Sequence, residues 1–126
     1  MKSMIGSNVQ YRPITLADFV QFYGQERSVG TINGFAFFVD GELSGVAGVE
    51  IRKGYFYAFS DIKEGANVSK LTIWRCAVMI RNWLRERKCD IYACANENIK
   101  GAPRFLHRLG FVRKDSFYVM EASWQE

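Results

Sequence analysis

Proline occurs twice and histidine once in the 126 residues. There is no Pro/Gly-rich linker, no internal repeat and no low-complexity tract, so the chain reads as one domain over residues 1–126. Residues 1–7 and 123–126 are expected to be loose ends. The single His107 and three cysteines, Cys76, Cys89 and Cys94, include no CxxC pair, which argues against a zinc site. An odd cysteine count argues for reduced thiols in a cytoplasmic protein, not a disulfide scaffold. No apolar run approaches the ~20 residues of a membrane helix, so no membrane partner is expected. The first residues, Met1-Lys2-Ser3-Met4-Ile5-Gly6, lack the apolar stretch of an export signal.

Hydrophobic side chains are plentiful. They make up 48% of the chain and aromatics 15%, enough to bury a real core and to exclude a disordered or fibrous chain. Charge is uneven. Residues 1–67 hold six Lys/Arg against seven Asp/Glu, and residues 68–126 hold eleven against six. A basic half suits an anionic partner, either nucleic acid or a phosphate-bearing cofactor, and equally suits a solvated face. Nucleic acid is the less favoured partner. Arg75, Arg81 and Arg85 supply charge, but Trp74 and Trp83 fall in the apolar arc of their helix instead of forming a stacking platform.

Periodicity places the elements. Residues 8–14 read as a strand with Pro13 near its end. Thr15 can cap a short helix through Tyr23 that buries Leu16, Phe19 and Tyr23, with Gly24 as its stop. Gly34–Val39, Leu43–Arg52 and Tyr55–Phe59 form a meander turning at Asp40-Gly41 and Lys53-Gly54. Gly45 and Gly48 mark a bulge or a close backbone approach. The third strand is apolar on both faces and is expected to be central and covered on both sides. Ser69 can cap a long helix to about Lys88. Ile73, Cys76, Ala77, Ile80, Trp83 and Leu84 form its buried stripe, widened by Leu71, Trp74 and Val78. Arg75, Arg81, Asn82, Arg85 and Glu86 make its wet side. Ile91–Ala95 is a second buried strand, giving a parallel βαβ unit. A short helix from about Gly101 ends at Gly110, and a hairpin turning at Lys114-Asp115 closes the chain. The fold class is α/β, a mixed sheet in the order β-α-β-β-β-α-β-α-β-β with helices on both faces.

That order, together with Asp40-Gly41-Glu42-Leu43-Ser44-Gly45-Val46-Ala47-Gly48 and Ala102-Pro103-Arg104-Phe105-Leu106-His107-Arg108-Leu109-Gly110-Phe111, resembles the GNAT superfamily of N-acetyltransferases across residues 8–122. The resemblance implies acetyl-CoA as co-substrate, held where two parallel strands, here Tyr55–Ser60 and Ile91–Ala95, splay apart. It implies cofactor contacts from Ile62 and, at the mouth of the splay, from Ser60, Asn96 and Asn98, which either hydrogen-bond a pantetheine amide or cap turns. It implies cofactor contacts from Arg104 and Phe105 on the short helix. It also implies a pyrophosphate at the N-terminus of the long helix, where orphan N–H groups and the helix dipole favour an anion.

The chain departs from the family at four places. The glycine-rich phosphate turn is replaced by Ser69-Lys70-Leu71-Thr72-Ile73-Trp74, with an indole where a glycine is expected. Gly65, flanked by Ala66 and Asn67 with Lys63 and Lys70 adding charge, offers a displaced anion nest, or is part of a plain surface loop. The position of the family's general-acid tyrosine is Leu106, and the adjacent His107 falls on the wet face. Only residues 15–33 separate the first two strands, so the acceptor wall is short, which suggests an open cleft or one completed in a homodimer. No general base stands out. Asp61, Glu64 and Glu50 are candidates that read equally as surface acids, and Tyr57 either enters the cleft or joins the core. The Arg104-Phe105-Leu106 run and the missing glycine turn also resemble small GNAT-like phage proteins of the internal virion type. Two functions stay open. One is acyl transfer from acetyl-CoA to a small-molecule or protein amine by direct attack. The other is a GNAT fold without chemistry that serves as a binding or virion-assembly module.

Overall fold

A computed structural model describes residues 3–6, 8–24, 30–93, 106–115 and 117–121. Asn96, Asn98, Arg104 and Phe105, expected at the cofactor, lie outside these residues. Strands β1 (Ser3–Ile5), β2 (Val9–Pro13), β3 (Thr31–Val39), β4 (Glu42–Arg52), β5 (Tyr55–Ile62), β6 (Ile91–Ala93), β7 (Val112–Lys114) and β8 (Phe117–Met120) join helices α1 (Leu16–Tyr23) and α2 (Lys70–Arg85). The strands form one sheet in the order β1-β2-β3-β4-β5-β6-β8-β7. Every pairing is antiparallel except β5 with β6. The parallel pair is the one that α2 crosses over, as a βαβ unit requires.

Strand alternation assigns the two faces. Ala47, Val49, Ala58 and Ser60 share a face through the pairs Ala47↔Ser60 and Val49↔Ala58. Ala47, Val49 and Ala58 pack with Ala77, Ile80 and Leu84 of α2. The opposite face carries Val46, Gly48, Glu50 and Arg52, paired with Asp61, Phe59, Tyr57 and Tyr55. There Phe19 of α1 meets Phe59 edge-on, with ring centres 5.3 Å apart.

Helix α1 starts where its capping box closes. Thr15 Oγ1 accepts from Asp18 N at 3.1 Å, and the Asp18 carboxylate accepts from Thr15 N at 2.9 Å. Arg12 on β2 grips the same carboxylate with two bonds of 2.5 and 2.9 Å. These contacts aim Phe19 inward, where it is fully buried, a gain of roughly 1.5–3 kcal/mol. Leu16, expected on that buried face, is 56% exposed, because the box places the first residue of the helix at its outer rim.

Other expectations also change. Ser3–Ile5 are no loose end but an edge strand paired with Val9–Tyr11. Leu71 is exposed instead of widening the α2 stripe, while Arg81 and Arg85, expected on the wet side, are half-buried. Gly48 is a close-approach position as expected: a Cβ there would fall 2.2 Å from the Asn33 carbonyl and 2.7 Å from Gly34 Cα. The sheet is irregular where Phe37/Phe38 meet Gly45 and Leu43, as the glycine there suggested. No helix among the described residues is long and apolar enough to cross a membrane.

Candidate functional site: a cleft through the sheet

Strand β5 is central in the sheet but not covered. All of its residues are half-buried or exposed, in contrast to the continuously buried Ser44–Glu50 stretch of β4. The reason lies on its β6 side. Phe56 pairs with Ile91 and Tyr57 with Tyr92, and among the described residues nothing pairs with that edge from Ala58 to Ile62. Among the described residues the parallel ladder ends at Tyr57, and Ala93 pairs with Tyr118 of β8 but with no residue of β5, so the β5 edge beyond Tyr57 has no ladder partner among them.

A cavity of about 1060 Å³ occupies this opening. Its walls come from both faces of the sheet: Ala47, Ala58, Ser60 and Ala93 from the α2 face, and Glu50, Tyr57, Phe59 and Tyr92 from the α1 face. The cavity is thus bordered by residues of both faces. Ile73, Cys76, Ala77 and Ile80 of α2 roof one end. Burial pushes the Cys76 thiol up to about 11, so it is a neutral apolar wall and not a nucleophile.

Of the residues expected at the cofactor, Ser60 and Ile62 lie on the α2 face of β5, while Gly65, Ser69, Lys70 and Thr72 do not line the cavity. Ser60 and Ile62 line the cavity. Gly65 has a left-handed backbone (φ 81°) and sits at the third position of the turn closed by Ala66 N–H to Lys63 O at 3.2 Å. Ser69 caps α2, accepting from Thr72 N at 3.1 Å. Lys70 and Leu71 are left as first-turn N–H donors with no partner among the described residues. Trp74, expected to block this turn, sits in the second turn of α2 and packs against the core. No tryptophan among the described residues lines the cavity. What does crowd the first turn is the β1–β2 connection. Gly6 lies so close to Thr72 that a Cβ would fall 2.8 Å from its hydroxyl, and the Asn8 side-chain amide donates to Asn67 O at 2.8 Å. Nothing in the sequence around residues 6–8 signals this docking, because it depends on where the hairpin is carried by β2.

The α1 face carries the two residues expected to act in chemistry. Tyr57 and Asp61 lie on either side of Phe59 along β5, each displaced by one strand repeat of about 6.6 Å. The Tyr23 hydroxyl of α1 donates to the Asp61 carboxylate. Glu64 is exposed in the following loop. Glu50, weighed as a surface acid, is buried at 4% exposure and faces the cavity. Its Oε2 accepts from Gly30 N at 2.9 Å and lies 3.6 Å from Arg52 Nε. The clue in the sequence was a single acid inside the apolar run of β4. His107 is exposed, as its place beside Arg108 suggested, and Leu106 packs against the core.

This architecture, a sheet parted at its one parallel pair, is the fold of the GNAT acetyltransferases. A Bordetella pertussis protein described as a GnaT-family acetyltransferase superposes with a TM-score of 0.62 at 15% identity, over 94% of this chain and 97% of that one. The ribosomal-protein-S5-alanine acetyltransferase of Vibrio fischeri gives 0.61 at 10% identity, over 94% and 93%. A cAMP-binding acyltransferase of Mycobacterium smegmatis gives 0.62 at 11% identity, with 97% of this chain covering 47% of that chain. No family model and no curated protein matches the sequence. The likeness is therefore one of fold.

Proposed function

We propose that this protein transfers an acetyl group from acetyl-CoA to an amine, the thioester entering the cleft from the α2 face and the amine from the α1 face. The observation that carries the reading is the cavity beside β5 beyond the Tyr57–Tyr92 pair, bordered by residues of both sheet faces. The fit of acetyl-CoA is supported by the β5 edge that is unpaired among the described residues, by the left-handed Gly65 and by the first-turn N–H groups of Lys70 and Leu71, whereas the Lys63 ammonium, expected to add charge here, is held by Glu42 Oε1 at 2.8 Å. When bound, acetyl-CoA supplies an activated acyl carbon and a thiolate leaving group.

The chain's own residues act by position. Main-chain groups of Ala58–Ile62 hold an extended amide-bearing arm as a neighbouring strand would. At the level of Phe59 the acceptor nitrogen has Tyr57 on one side and Asp61 on the other. An amine attacks only after losing its proton. Asp61, fixed by Tyr23, accepts that proton through water, while the nitrogen–carbon bond forms and the carbon–sulfur bond breaks. The Tyr57 hydroxyl is the donor on the opposite side of the reacting carbonyl.

Calorimetric titration with CoA and acetyl-CoA tests the reading. Micromolar binding is expected, and no heat at millimolar ligand would remove it. A second reading, a binding module without chemistry, is favoured by one observation. Ser69 already occupies the Thr72 N–H, and Gly6 covers the Thr72 hydroxyl, so the first turn of α2 is partly closed to phosphate.

A further inference from the structure

The α1-face end of the cleft holds a charged group that the acyl-transfer reading leaves without a task. Arg52, the last residue of β4, lines the cavity with its guanidinium carbon 5.0 Å from the centre of the Tyr57 ring. We infer that Arg52 is an anchor for an anion on the acceptor, which makes the acceptor a small amine bearing a carboxylate or phosphate. This rests on the acyl-transfer reading only for the role of acceptor; the anion site stands on its own geometry.

The neighbouring charges support an anion over a second cation. Glu50 is the one buried acid at this end, and its Oε2 is already engaged by the Gly30 N–H and by Arg52. It orients the guanidinium instead of greeting an incoming ammonium. The Arg52 side chain is nevertheless 56% exposed, and no residue among those described takes its terminal nitrogens. A guanidinium seated on an aromatic ring keeps its edge donors free for a planar two-pronged bond to an oxyanion.

The backbone also holds the arginine in place. A Cβ on Gly30 would fall 2.4 Å from Ile51 O and 3.0 Å from Arg52 Cγ, so the stem of Arg52 runs against a strand that only glycine allows so near. Tyr55, Tyr92 and Phe117 complete an apolar rim, with Tyr92 5.9 Å from Tyr55 and 5.7 Å from Phe117. The guanidinium lies over Tyr57, and the level of Phe59 is about one strand repeat away, ~7 Å. An α-amino acid or a short aminoalkyl phosphate, with its hydrogen bond to Arg52, spans that distance.

The test follows the Arg52 Nε–H resonance by NMR while product-like probes are added without CoA. N-acetylglycine supplies a carboxylate, N-acetyl-O-phosphoethanolamine a phosphate, and N-acetylglycinamide a neutral control of the same shape. One or both anions are expected to shift the resonance and the amide to leave it still, and whichever anion binds tighter names the class. Measured by calorimetry, Arg52→Gln should weaken anion binding about tenfold, with Arg52→Lys losing less. Equal binding of acid and amide, or unchanged binding by Arg52→Gln in a folded protein, overturns the inference. Acetyl-CoA titration separates the two readings: no CoA heat with anions bound at Arg52 removes acyl transfer alone, whereas CoA binding with no anion preference removes the anchor alone.

Discussion

Tyr57 on β5 faces Tyr92 on β6 with ring centres 6.1 Å apart, and this is the last bridge the two parallel strands make among the described residues. The rings close the sheet at that level and, among the described residues, no parallel pair follows further along. Ser60 stands beyond the bridge on the α2 face and lines the cavity. Ser60→Trp puts an indole into the opening beside Ala47. CoA affinity should fall by about tenfold or more, since an occupied cleft forfeits the main-chain contacts. Thermal unfolding should move little, because Ser60 is exposed. Unchanged CoA affinity would place the cofactor elsewhere.

The acid in the cleft makes a kinetic prediction. Asp61→Asn should lower kcat by about 10²–10⁴ if the carboxylate takes the amine's proton. Tyr23→Phe removes the hydroxyl that holds Asp61 and leaves the base itself. It should lower kcat less than Asp61→Asn does. A loss smaller than about threefold for Asp61→Asn would assign proton removal to solvent, since a positioned base contributes far more.

Much of this scaffold is legible in the residues. Asp40-Gly41 and Lys53-Gly54 announce turns because a left-handed backbone is needed there, and Asp40, Gly41, Lys53 and Gly54 all have positive φ. The stripe of Ala77, Ile80 and Leu84 announces a helix against a sheet. What could not be read is tertiary in origin. Tyr55–Phe59 has the composition of a covered strand, but the parting of the sheet leaves it half-exposed. Glu50 looks like a surface acid until Gly30, from beyond the β3–β4 hairpin, is brought to it. Gly6 meets Thr72 across sixty-odd residues of chain, a contact that no local pattern encodes.

Gly48→Ala tests the close approach that keeps β3 and β4 in register. The added methyl would collide with the Asn33 carbonyl and with Gly34 Cα, both main chain, so neither can swing aside. A destabilisation of about 1–3 kcal/mol or more is expected from denaturant unfolding. Gly41→Ala is the control: a Cβ there meets nothing within 4 Å, so the methyl cannot collide, although the positive φ of 85° gives that substitution a separate backbone cost. A smaller loss for Gly48→Ala than for Gly41→Ala would contradict the steric account.

Cys76 gives a chemical reporter of the cleft. Its thiol lines the cavity, but burial raises it to about 11, so at neutral pH almost none is thiolate. Alkylation by iodoacetamide, followed by mass spectrometry, should be slow at pH 7 and accelerate steeply only as the pH approaches 11. Saturating CoA should slow it further at every pH. Rapid labelling at neutral pH would mean that the roof of the cavity opens to water.

The Arg12–Asp18 pair sets a pH dependence for α1. The hydrogen bonds from Arg12 outweigh burial and hold the Asp18 carboxyl below its ordinary value of 3.8. A carboxyl lowered on folding stabilises the fold at every pH above the unfolded value, and that contribution fades as the pH falls through 3.8 toward the folded value. Unfolding free energy should therefore drop on acidification below about pH 4, with the α1 cap lost first. Asp18→Asn keeps the shape but loses the charge. It should cost about 1–3 kcal/mol at pH 7, where a hydrogen-bonded charge pair and a cap bond are both weakened. The difference between the two proteins should shrink toward zero at pH 2. A constant difference across that range would show that Asp18 acts through its shape alone and that its ionisation contributes nothing to holding Phe19 over the cleft.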